Sequence, residues 1–372
     1  SSLNIIANAA KAIDLLSKDA LTAIANVTLP ANPATTLNYL GTPVSIASTD
    51  NIVIATVNAP FGDINVYGKQ GVAVNINETG AAASNVVLTS LGDIGGTVNP
   101  ANCAPIVGPT PSFSYSSAIT ITTAANVSNM TVNAPGNAVA KNSSAITVSA
   151  GNTVSGTYKS AGALSVDAKT SIGGTYAYGM TPIGDIRRDA NAQLISPGAI
   201  IATLCGNGPA QFIAADLSGS IAHVDGAIQA TAQSSIEYGL LCAADSLSLA
   251  IVNDGVAIPI YAGGNVSIIS LGDVSGLIQG HNVSIIGKAS LSSSITASGN
   301  INISLDADYK GDIQAGGKVD LVALSAANSI ESLPLTFLVN PEPSATTPVL
   351  FDKDGQIITH PAFPCFAPGG AV

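Results

Sequence analysis

A chain of 372 residues with 47% hydrophobic side chains is long enough to bury a core, yet only 9% of it is charged and 4% aromatic, with no Trp. Low charge combined with abundant Val and Ile excludes a disordered chain. The net charge of -11, with only 12 Lys and Arg, excludes a basic surface for nucleic acid or an anionic membrane.

Residues 1–26 place Ile5, Ala9, Ala12, Ile13, Leu16, Ala20, Leu21 and Ile24 at spacings of three and four, which predicts an amphipathic helix ended by Pro30. Such a helix would cap the open first rung of a repeat structure. Its polar face is not rich in Lys or Arg, as a membrane-surface helix requires. The chain begins at Ser1 with no initiator methionine, which suggests a processed or trimmed N-terminus and an exported protein. No apolar run approaches the roughly 20 residues of a transmembrane helix.

Residues 27–332 are expected to form one β-solenoid, of parallel β-helix type and right-handed. Strand-like runs at 51–56 and 72–76 open it with poor register. The pairs Ile146-Thr147-Val148 with Leu164-Ser165-Val166, and Gly156-Thr157-Tyr158 with Gly174-Thr175-Tyr176, set a step of 18. Phe212-Ile213 with Ser220-Ile221, and Ile228 with Ser235-Ile236, read as shorter rungs. Beyond them Val266, Val283, Ile301 and Val319 are spaced by 17, 18 and 18, and Leu277, Ile295, Ile313 and Ile330 by 18, 18 and 17. A short fixed period with two alternating strands and Gly turns per repeat is the mark of a solenoid. Irregular loops are expected near 99–111 and 178–209, where Pro interrupts the period. The Pro-rich tail, 333–372, is expected to cap the last rung or exchange between subunits.

Chemistry-bearing residues are few. Asn265, Asn282 and Asn300 recur at one turn position and predict a stacked amide ladder of structural purpose. Asp306, Asp308 and Asp312 cluster near Lys310, but a glycosidase needs two carboxylates across a groove with supporting groups. Asp352 and Asp354 open a Ca²⁺-loop-like run without its remaining ligands, and are weak metal candidates. His223, His281 and His360 are isolated in sequence, and Arg187-Arg188 sits between Asp185 and Asp189 as a solvated pair. Cys103, Cys205, Cys242 and Cys365 form no CxxC and predict two disulfides of undetermined pairing in an oxidising compartment. Asn-x-Ser/Thr occurs at Asn26, Asn77, Asn126, Asn129, Asn142, Asn265, Asn282 and Asn302, about what this composition yields by chance. No catalytic residue, cofactor or phosphate-binding fingerprint is assigned.

Gly263-Gly264-Asn265-Val266, Gly272-Asp273-Val274 and Gly311-Asp312-Ile313 resemble the β-helical repeats of filamentous-haemagglutinin-like secreted adhesins. The match is strong over about a fifth of the chain, and the Asn-Pro-Asn motifs of that family's secretion domain do not occur in this sequence. The resemblance implies a secreted, surface-located β-helix.

Three functions follow as expectations. The first is a non-enzymatic extracellular subunit that self-assembles into a surface layer (S-layer), sheath or filament, with copies of itself as partners. The second is an adhesin binding surface glycans or cell-surface proteins through projecting loops. The third is a polysaccharide-active enzyme. An ice-binding solenoid requires a regular Thr-x-Thr array, which the spacing does not display.

Overall fold

The computed structural model describes residues 2–9, 12–27, 44–59, 62–78, 85–99, 118–134, 145–179 and 190–323, with short strands at 326–327, 350–351 and 357–358. The chain forms two compact units, Ser1–Thr203 and Leu204–Val372. Each is a parallel β-solenoid whose strands feed two separate ladders, here called the A and B faces; in several turns of the second unit the A-face strand is split in two, as at Ile236–Glu237 and Leu240–Ala243.

In the first unit the B face is built from Ile13–Ser17, Val44–Ser48, Ile64–Gly68, Asn85–Ser90, Ala118–Thr123, Ala145–Ala150, Leu164–Ala168 and Ala192–Ile195, each paired in parallel with the next. The A face runs through Ser2–Ala9, Ala20–Val27, Ile52–Ala59, Gly71–Glu78, Asp93–Asn99, Val127–Ala134, Thr153–Ser160 and Ser171–Tyr178. In the second unit the B face steps through Ala210–Ala214, Ile228–Ala232, Leu247–Ile251, Val266–Ser270, Val283–Gly287, Ile301–Leu305 and Val319–Val322.

Parallel register puts like positions on top of one another, so alternating side chains become columns. One inner A-face column reads Leu21, Val53, Val72, Ile94, Val127, Val154, Ile172, every member buried. A B-face column in the second unit reads Val266, Val283, Ile301, equally dry. Burying each such side chain contributes about 1.5–3 kcal/mol before entropy is counted. Tyr158 and Tyr176 extend another inner column, their rings stacked 5.2 Å apart at an interplanar angle of 3°. Their hydroxyls donate to the carbonyls of Ser155 and Gly173, at 3.2 and 2.7 Å. Burial raises both phenol pKa values above the usual range, with the neighbouring ring's charge adding to the effect at Tyr176.

Corners are closed by buried hydroxyls. Ser90 Oγ donates to the Gly68 carbonyl at 2.6 Å and accepts the Gly92 amide at 2.9 Å. Thr123, its in-register neighbour, donates likewise to the Gly92 carbonyl and accepts the Ala125 amide. Turn amides that would otherwise be orphaned inside the stack are thereby satisfied.

The A face of the first unit is kinked at one place on successive rungs. Gly96, Gly156 and Gly174 have φ of 124°, 137° and 112°, a region open to Gly and costly for other residues. The rung Val127–Ala134 has Met130 at this position and instead inserts Asn129 at φ 50°, which shifts the register between Val127 and Met130. This is a β-bulge standing in for a glycine.

Several expectations need correction. The segment expected as a capping helix is three strands, Ser2–Ala9, Ile13–Ser17 and Ala20–Val27. Leu21, Ala23, Ala25 and Val27 alternate inward, whereas Leu16 is 74% exposed, so the period is 2 and the spacings of three and four are incidental. The irregular loop at 178–209 shrinks, because Ala192–Ile195 pairs with Leu164–Ala168 as an ordinary rung. The column leading to Ile295 and Ile313 passes through Ile278, not Leu277. That one-residue slip would have turned the strand inside out. Most of 99–111, residues 180–189 and nearly all of the tail lie outside the described residues; within the tail, Leu350–Phe351 pairs antiparallel with Ile357–Ile358.

Gly156 tests the kink. An added Cβ would sit 2.0 Å from the Met130 carbonyl oxygen. Gly156→Ala is therefore expected to lower stability by about 1–3 kcal/mol or more, read as a drop in urea midpoint, while Lys159→Ala on the same strand leaves it nearly unchanged.

Candidate functional site

The side chains facing outward form lanes for the same reason that the inner ones form columns. In the second unit, Asn282 Nδ2 donates to Asn265 Oδ1 at 2.9 Å, and Asn282 Oδ1 accepts the Asn300 backbone amide at 2.8 Å. Asn300 Oδ1 in turn accepts the Lys318 amide at 2.8 Å. The amides thus bridge consecutive turns.

A second amide lane lies on the A face of the first unit and was not read from the sequence. Asn8, Asn26, Asn58, Asn77 and Asn99 stand in register on five successive strands. Asn26 Nδ2 donates to Asn8 Oδ1, and Asn58 Nδ2 to Asn26 Oδ1, each at 2.9 Å. Two residues earlier runs a lane that begins with the exposed Ile6 and Ile24 and continues as Thr56, Asn75, Thr97, Thr131, Thr157 and Thr175. Thr56-Val57-Asn58, Thr97-Val98-Asn99 and Thr131-Val132-Asn133 are one motif, with Val buried between two outward polar groups. The signal that would have found it is that Thr-Val-Asn triplet. Chain steps of 41 and 34 between the triplets hid the register, because the first spans two rungs, through Asn75-Ile76-Asn77, and the second is a single rung lengthened by an insertion.

The B face of the second unit carries a different pair of lanes. One is polar: Gln211, Gln229, Ser248, Ser267, Ser284, Asn302. The other runs Ile213, Thr231, Ala250, Ile269, Ile286, Ser304 and ends at Val322. Ile269, Ile286 and Val322 are 49%, 54% and 65% exposed.

On the A face of the second unit, His223, Cys242, Tyr261 and Gln279 stand in register. Each alternates with inward-facing neighbours and so belongs to the outer side, yet all four are buried. Cys242 is a free thiol, which removes it from the two-disulfide expectation. Burial pushes its pKa up to about 11, and the Tyr261 phenol is raised by burial and by Cys242 beside it. Cys205 is disulfide-bonded; Cys103 and Cys365 lie outside the described residues.

The carboxylates do not assemble. Asp306 and Asp308 occupy the turn after Ile301–Leu305 instead of sharing a strand face, and Asp312 precedes the strand Ile313–Ala315. Their backbones serve the ladder: the Asp308 and Asp312 carbonyls accept the amides of Leu291 and Ile295. Tyr309 between them is buried, which raises its pKa, with Asp312 adding to the shift. His281 is exposed, its Nδ1 2.8 Å from Ser298 Oγ. Among the described residues no group of three His, Cys, Asp or Glu converges to hold a metal, and Asp352, Asp354 and His360 fall outside them. No described helix is long and apolar enough to cross a membrane. No family model, curated protein or solved structure matches the chain.

Two outcomes test these placements. Asn282→Ala removes a bridging amide, leaving the Asn300 amide without its protein acceptor, and is expected to cost about 1–2 kcal/mol in chemical denaturation. Cys242 should resist iodoacetamide at pH 8.5 in the folded protein and react on unfolding. A thiol raised from 9 to about 11 stabilises the fold below pH 9 relative to higher pH. That contribution is lost as pH climbs through the 9 to 11 window, so the denaturation midpoint should fall there less steeply in Cys242→Ala.

Proposed function

We propose that this chain is a non-enzymatic structural subunit of an extracellular layer, sheath or fibre, and that it associates with copies of itself. The observation that carries this reading is the B face of the second unit, where a lane containing Ile213, Ile269, Ile286 and Val322 lies exposed beside a Gln/Ser/Asn lane. From Gln211 to Ser304 neither lane contains a charge. Ala250, Ile269 and Ile286 adjoin on neighbouring strands, and an exposed apolar run of this kind marks an interaction surface more often than scattered single residues do. Sheets stack face to face about 10 Å apart, and lanes of small and branched side chains interdigitate in such a contact. The patch is self-complementary, as a contact between identical copies related by a two-fold axis requires.

The likeness of the Gly-Asn-Val and Gly-Asp-Ile turns to secreted-adhesin repeats supports an extracellular location. A low charge content also suits a protein that works by lateral packing. The placement of Asp306, Asp308 and Asp312 in turns supports a scaffold over a glycosidase.

Light scattering and negative-stain electron microscopy of the purified chain test the reading. The wild type is expected to form concentration-dependent assemblies, and Ile269→Asp/Ile286→Asp to abolish them with an unchanged far-UV CD spectrum. Monodisperse wild-type monomers under all assembly conditions would sink the proposal.

A further inference from the structure

We infer that the paired Thr and Asn lanes on the A face of the first unit form a binding surface for a neutral, extended polysaccharide lying along the solenoid axis. The inference does not depend on self-association, and it uses a different face in a different unit.

Four features lead to this ligand. The first is repetition with a fixed step. Thr97, Thr131 and Thr157 occupy consecutive strands, with Asn99 and Asn133 two residues further along theirs. Neighbouring strands are about 4.8 Å apart, and residues i and i+2 about 6.7 Å. The surface is thus a grid of hydrogen-bonding groups set by the backbone. An extended β-1,4-linked glycan turns each sugar over relative to the last, so its disaccharide repeat advances by about two strand spacings and alternate sugars would meet every second rung in like positions.

The second is rigidity. The Val, Ile or Tyr between each outward pair is buried in a packed column, and β-branching limits the Thr rotamers. Where Asn8, Asn26 and Asn58 are tied through their amides, each link uses one N–H and one carbonyl lone pair. An amide has two N–H groups and an acceptor with two lone pairs, so every linked Asn retains a donor and an acceptor for a sugar hydroxyl. Little ordering entropy remains to be lost on binding.

The third is shape. Beside the Thr lane the kinked backbone carries Gly95-Gly96, Ser155-Gly156 and Gly173-Gly174. Three of the four rungs here carry a glycine; the side chains of Asn129 and Ser155 interrupt the strip of backbone, the Asn129 amide donating to Ser155 Oγ at 3.2 Å. Beyond it stand Asp93, Asn126 and Thr153, joined by Asn126 Nδ2 donating to Asp93 Oδ1 and Thr153 Oγ1 donating to Asn126 Oδ1, both at 2.9 Å. The strip thus lies between two polar rows.

The fourth is charge. From Thr56 to Thr175 the Thr lane has none, and the Asn lane has only Lys159, after Asn133. An anionic glycan would need a row of cations, so the surface suits an uncharged one. The lanes contain no aromatic ring to stack on a sugar. Affinity per sugar is then small, and retention depends on many rungs engaging a long or insoluble chain at once.

Pull-down of the full-length chain on microcrystalline cellulose and on chitin tests the inference, with Thr97→Val/Thr131→Val/Thr157→Val and the corresponding triple Ser variant. Val keeps the branched shape and removes the hydroxyl; Ser keeps the hydroxyl and removes the methyl. The wild type should be retained on at least one of the two. The Val variant should lose retention on the order of tenfold or more, and the Ser variant should keep it, with all three melting alike and assembling alike. Failure of the wild type to bind either polymer would overturn the inference. So would undiminished binding by the Val variant, or equal loss in the Ser and Val variants. Partition of the wild type into ice in place of glycan would also overturn it, assigning the grid to ordered water.

Discussion

Parallel in-register stacking at the strand spacing is the constraint on which this molecule rests. Every backbone amide in a rung looks for a carbonyl one rung away, and meeting that demand places each side chain above its equivalent. What one turn does at a position, the next must tolerate. Leu21, Val53, Val72 and Ile94 can follow one another because branched aliphatic side chains nest on a pleated surface. A Tyr can enter such a column only if a neighbour accommodates it, and Tyr158 and Tyr176 do so by stacking and by sending their hydroxyls to carbonyls three residues back.

The same constraint shapes the exceptions. The kink at Gly96, Gly156 and Gly174 must pass through the intervening rung, where Met130 stands in the glycine position. The chain solves this by adding Asn129 in a left-handed conformation, so the strands resume register at Met130. Corners are handled alike: Ser90 and Thr123 are different residues doing one job, donating a hydroxyl to the rung before and accepting a turn amide. Polar residues that stack in line bond to each other, which links the amide lanes on two faces to the cohesion of the ladder.

On the outside the constraint turns single residues into extended surfaces. One Ile facing solvent is ordinary, but Ile269 and Ile286 on adjacent strands begin an apolar lane. A Thr alone carries no message, whereas Thr97, Thr131 and Thr157 make a ruler. The two units present different lanes: a Ser and Ile face suited to packing against a copy, and a Thr and Asn face suited to a neutral repeating ligand.

How much of this was legible depended on whether turns were of equal length. Between Val266 and Val319 the step holds at 17 to 18, and alternation with Gly turns marked a solenoid directly. Asn265, Asn282 and Asn300 were visible there for the same reason. Where insertions intervene, between Asn26 and Asn58 or Asn99 and Asn133, the repeat vanished from the sequence although the strands are as well paired. At the N-terminus Ile5, Ala9, Ile13 and Leu16 satisfied a helical spacing by accident, and local pattern had nothing to arbitrate with. The sequence alone determined an aliphatic, weakly charged, rung-built protein, because composition and alternation are local properties. Only the tertiary structure decided which residues share a lane, that Cys242 is buried on an outer face, and where the rungs kink. Those depend on register across insertions, a long-range hydrogen-bonding choice that no local window contains.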